Sequence, residues 1–99
     1  MQITLLHVAD CPNLELARER LGVAVAGLGV AATITDRLVT DAAEAARRGF
    51  AGSPTILVDG ADPFVAPDLS PSLACRLYPT RDGLQGAPTV EELVEALRR

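Results

Sequence analysis

The 99-residue chain has no lysine and no tryptophan, one tyrosine, two phenylalanines, two cysteines and a single histidine. Each scarcity excludes something. Two cysteines far apart in sequence, Cys11 and Cys75, are not the disulfide framework that staples small secreted domains. One histidine and two cysteines are a poor ligand supply for zinc, and no CxxC or HxxxH pairing pre-organises them. No metal site and no cofactor are expected. The formal charge of −4 argues against nucleic acid as a partner, because such binding needs clustered positive charge. All nine basic residues are arginine. The apolar start, Ile3 to Val8, is too short for a signal peptide or a membrane span and has no basic region before it. No membrane partner is expected, and the reading is cytoplasmic, where both thiols stay mostly free.

What is abundant is apolar: 48% of the residues are hydrophobic, mostly Ala, Val and Leu. That supplies one core, so 1–99 reads as a single domain. Ile3–Val8 is a continuous apolar run, the pattern of a strand covered on both faces. Leu14, Ala17, Leu21, Ala24 and Leu28 share one helical stripe, predicting a helix from Asn13 to about Leu28, ended by Gly27 and Gly29. Ala32–Val39 reads as a second strand. Thr40-Asp41 opens a short Ala-rich helix, with Glu44 as capping partner and Gly49 as its stop.

Thr55–Val58 is a third strand, followed by an Asp59-Gly60 turn. Residues 61–72 contain Pro63, Pro67 and Pro71 and read as an irregular loop. Leu73–Tyr78 is predicted as a fourth strand, with Leu73, Cys75 and Leu77 on one face and Ala74, Arg76 and Tyr78 on the other. A turn at Arg81-Asp82-Gly83 leads to a last helix. Its start is the capping box Thr89-x-x-Glu92, and Val90, Leu93, Val94 and Leu97 form its buried stripe. The order β-α-β-α-β-β-α predicts an α/β fold: a parallel βαβ first half, a hairpin, and a mixed four-stranded sheet with helices on both faces.

Cys11 carries the chemistry. A helix N-terminus has unpaired N–H groups and a partial positive charge, which favour thiolate over thiol. Pro12 suits the first helical position, leaving Cys11 as the cap. Asp10 opposes the effect, since a nearby carboxylate disfavours thiolate. The alternative is a small buried hydrophobe at a strand–helix junction. His7, four residues earlier on a buried strand, reads as structural. Asp10 and Asn13 read as stabilising the helix start, with substrate orientation as the alternative.

Three segments resemble the thioredoxin-like superfamily. Cys11-Pro12-Asn13-Leu14 stands where that superfamily carries Cys-x-x-Cys. Ser53-Pro54-Thr55 stands where it has a cis-proline opening the third strand. Gly86-Ala87-Pro88-Thr89 resembles its Gly-Ala-x-Ser segment before the last helix. The resemblance spans nearly the whole chain, with 61–72 as an insertion. It implies a protein of thiol–disulfide exchange or thiol handling, with a thiol–disulfide oxidoreductase as one form of it, in which Cys11 is the nucleophile and Pro12, Asn13, Ser53 and Pro54 shape the substrate groove. It also implies a cis Ser53–Pro54 bond, leaving the N–H and C=O of Ser53 free for an extended peptide or glutathione.

Leu14 replaces the second cysteine of that motif and removes the standard resolving step, so the site resembles a monothiol one. Cys75 is then either a core residue beside Leu73 and Leu77 or a replacement resolving thiol. A direct bond would need the two Cα atoms within about 7 Å. Arg76 and Tyr78 are expected to line the groove with Pro54. The Cys-Pro-Asn start, Gly-Ser-Pro-Thr-Ile-Leu and the later Cys-Arg-Leu-Tyr also resemble small proteins labelled alkylmercury-lyase-like. Hence the first alternative is a soft-metal or organomercurial-binding protein using Cys11 and Cys75. The second is a redox-inactive binding module on the same fold.

Overall fold

The computed structural model describes residues 1–65 and 69–98; Pro67 of the predicted loop lies outside them. Strand β1 (Gln2–His7) runs between β2 (Thr33–Leu38), to which it is parallel, and β4 (Thr55–Val58), to which it is antiparallel. Its unbroken apolar run has a simple cause. As the central strand of the sheet β2-β1-β4, it buries Ile3 and Leu5 on one face and Leu6 on the other.

Helices α1 (Leu14–Leu28) and α3 (Val90–Arg98) cover the first face. There Ala17, Leu21 and Ala24 meet Leu93 and Leu97 over Ile3, Leu5 and Ile56. The short helix α2 (Ala42–Arg48) covers part of the second face, where Ala45 packs with Leu6, Val39 and Phe50. The fold is mixed α/β with three helices and a mixed sheet among the described residues.

The caps predicted for the second and last helices form. Asp41 accepts from the Glu44 N–H at 2.7 Å, and the Glu44 carboxylate accepts from the Thr40 N–H at 3.0 Å. At α3, Thr89 Oγ1 accepts from the Glu92 N–H at 3.1 Å and Glu92 accepts from the Thr89 N–H at 2.9 Å. Gly29 caps α1 with φ 65°, a backbone conformation that glycine adopts freely. Gly27 stays inside the helix.

The fourth strand of the prediction does not form. Among the described residues β4 pairs only with β1, apart from a bridge between Val58 and Ala61, so the sheet has three strands rather than four. The segment 73–78 divides instead. Strand β5 (Ser72–Cys75) pairs in parallel with β3 (Ala51–Ser53), and β6 (Tyr78–Thr80) turns through Arg81-Asp82 into β7 (Gly83–Gln85). The hairpin of the second half is therefore β6–β7.

Arg76 is buried, with its guanidinium 2.7 Å from Asp62 and bonded to the Phe64 carbonyl, and Tyr78 meets Phe64, so residues 76–78 pack on the 62–64 turn. The predicted alternation is not kept: Arg76 and Tyr78 are buried, while Leu73, Ala74, Cys75 and Leu77 are exposed, so Cys75 is not a core residue.

Candidate functional site

Cys11 is half-buried in the connection between β1 and α1. The chain turns there through Asp10, whose φ is +56°. Helical geometry is delayed until Leu14, and the cap is Asn13 rather than Cys11. Pro12 consequently lies in the preceding turn and not at the first helical position. The Cys11 carbonyl accepts from the Leu14 N–H at 3.4 Å, a long bond that closes this turn.

The Asn13 side chain is turned against the backbone of Gly86, where any Cβ would collide with it. Arg20 ties α1 to the same segment. It donates to Gln85 at 2.9 Å and to the carbonyls of Ala87 and Pro88 at 3.1 and 3.2 Å. The cysteine turn is thus seated on residues 85–88.

Ser53 is fully buried and holds both cysteine-bearing segments. Its Oγ accepts from the Val8 N–H at 3.1 Å, three residues before Cys11. Its carbonyl accepts from the Arg76 N–H at 3.0 Å, one residue after Cys75, and Ser53 and Cys75 are register partners across β3 and β5. The Ser53–Pro54 bond is cis. The backbone edge expected to be free is not: the Ser53 carbonyl is already taken by the Arg76 N–H, directly after β5.

Gly52 makes that close approach feasible. With φ +108° it has no Cβ, and one placed there would lie 2.8 Å from Arg76 Cβ and 3.2 Å from the Ala74 carbonyl oxygen. Neither Gly52 nor its role was among the residues singled out from the sequence, because the close approach exists only between β3 and β5.

Behind this edge sits a buried polar group. The Arg76 guanidinium donates to Asp62 at 2.7 Å, to the Phe64 carbonyl at 2.8 Å and to Thr55 Oγ1 at 3.3 Å. It also lies 4.5 Å from the centre of the Tyr78 ring, which meets Phe64 edge-on. Tyr78 reaches Pro54 by donating its hydroxyl to the Pro54 carbonyl, but as a buried partner rather than as an open groove wall. Burial pushes its phenol well above the ordinary tyrosine range. The Arg76 charge pulls it down, while negative charge on Asp62 and on Cys11 pushes it up.

Asp62 was missed in sequence because its partner lies beyond a proline-rich loop. His7 is half-buried, and its Nδ1 lies 3.0 Å from the Val8 carbonyl, a contact with the neighbouring residue. Among the described residues, no group of three or more His, Cys, Asp or Glu side chains is placed to hold a metal ion. No described helix is long and apolar enough to cross a membrane. Comparison with known proteins returns nothing: no family model, curated protein or solved structure matches the chain.

Proposed function

We propose that the protein carries out thiol–disulfide exchange on a thioredoxin-like scaffold, with Cys11 as nucleophile and Cys75 as the resolving thiol. The observation that carries this reading is the double hold of Ser53 on the Cys11 and Cys75 segments. Support for the scaffold comes from the β1-α1-β2 parallel unit, the antiparallel β4 and the two helices on one face. The absence of a fourth strand beside β4 among the described residues is a departure from that scheme.

In the first step the Cys11 thiolate attacks one sulfur of a disulfide R–S–S–R. A Cys11–S–S–R bond forms and R–S⁻ leaves. In the second, the Cys75 thiolate attacks Cys11 sulfur and expels the second R–S⁻, leaving a Cys11–Cys75 disulfide. Two protein thiols are oxidised and one disulfide is reduced to two thiols. Leu14 takes no part; the resolving role has moved from the helix to a strand edge.

Oxidised glutathione followed by acid quench and mass spectrometry tests both steps. The unmodified chain is expected to gain an internal disulfide, and Cys75→Ser to stop as a glutathione adduct on Cys11. An unmodified Cys11 in every case would overturn the proposal. Tight 1:1 mercury(II) binding, lost with either cysteine and without exchange activity, would favour the soft-metal reading.

A further inference from the structure

We propose that β5 is a resident strand that closes the cis-proline edge to extended peptides and restricts Cys11 to low-molecular-weight disulfides. This rests on the exchange reading above and names its substrate class.

An extended peptide is captured at a sheet edge through main-chain hydrogen bonds over several residues. The edge beside Ser53 has none to offer. At one end of β3 the Phe50 carbonyl accepts from the Ser72 N–H at 3.1 Å; at the other the Ser53 carbonyl accepts from the Arg76 N–H at 3.0 Å. The register Ala51–Ser72 and Ser53–Cys75 absorbs one irregularity between these ends. Gly52 lets the two backbones meet more closely than any residue with a Cβ would permit.

The strand is also held from below. Arg76, directly after β5, is anchored by Asp62, Thr55 and the Phe64 carbonyl. A peptide substrate would have to displace β5 and uncover this buried guanidinium. A small disulfide needs no strand edge; it needs only access to Cys11, a half-buried residue in the connection between β1 and α1. The small disulfide is then the oxidant of the first step and leaves as two thiols.

The test compares two oxidants on the full chain, oxidised glutathione and a disulfide-linked dimer of a short extended peptide, by the rate of Cys11 modification. Glutathione disulfide is expected to react at least about tenfold faster. Ser72→Pro, which removes the donor to Phe50, and Gly52→Ala, which presses a methyl against Arg76, are expected to raise the peptide rate selectively. Hydrogen exchange at the Arg76 amide of the unmodified chain gives a readout independent of those variants. Its protection should persist while glutathione disulfide reacts. Equal rates for the two oxidants on the unmodified chain, or loss of that protection during reaction with the small disulfide, would overturn the inference while leaving exchange intact. Modification by neither oxidant would overturn both proposals.

Discussion

The Tyr78 hydroxyl donates to the carbonyl of Pro54 at 2.5 Å, joining the first residue of β6 to the residue between β3 and β4. This bond, with the Arg76 network beside it, orders the region that a fourth strand would otherwise occupy.

Tyr78 offers a clean spectroscopic test, because the chain has no other tyrosine and no tryptophan. Its phenol is raised by burial above the ordinary value of 10.0. At pH 11 the folded protein should show little phenolate absorbance, and denaturant should release it. The sign for stability follows from linkage. Below pH 10 both states are protonated and the contribution is fully present; above it the unfolded state ionises first and stability falls with rising pH. Tyr78→Phe should abolish that alkaline decline and cost about 1–3 kcal/mol, since the buried Pro54 carbonyl loses its donor.

Asp62→Ala should be among the most damaging single changes. Arg76 is 2% exposed in its side chain and Asp62 10%, so removing the carboxylate strands a buried cation at about 3–5 kcal/mol. The exposed Arg18–Glu15 pair on α1 should contribute no more than about 1 kcal/mol. Urea unfolding midpoints of Asp62→Ala and Glu15→Ala distinguish the two; equal losses would mean that the buried network is not an anchor.

Gly86→Ala should displace the turn that carries Cys11, because the new methyl meets the Asn13 side chain. A loss of about 1–3 kcal/mol is expected. The double variant Asn13→Gly, Gly86→Ala should recover much of it, along with the native rate of Cys11 alkylation. A single variant indistinguishable from the parent in both stability and alkylation would contradict this packing.

Leu77 is 57% exposed and Leu21 is fully buried. Leu77→Ser should therefore change stability by no more than about 0.5 kcal/mol, whereas Leu21→Ala should cost about 2–5 kcal/mol. A core-sized loss at Leu77 would restore the inward-facing strand that the sequence pattern suggested.

Much of the fold was legible in local chemistry. The apolar run of β1, the stripe of α1, the capping pairs Asp41–Glu44 and Thr89–Glu92 and the Asp59-Gly60 turn each depend on neighbours within a few residues. Cys11 at a strand–helix connection and a cis Ser53–Pro54 bond were likewise expected, the second through resemblance. Alternation misled at Leu73–Tyr78, because it assigns two faces without saying which one is buried.

By itself, the sequence determined the three helices, the strands β1, β2 and β4, and the placing of a thiol in the connection between a strand and a helix, since periodicity and capping are short-range effects. Only the tertiary structure decided what surrounds that thiol. The burial of Arg76 on Asp62 turned a predicted core face outward. It also brought β5 to the edge of β3, leaving Cys75 in register with Ser53. Those are long-range electrostatic and packing choices, made between segments whose local patterns carry no record of each other.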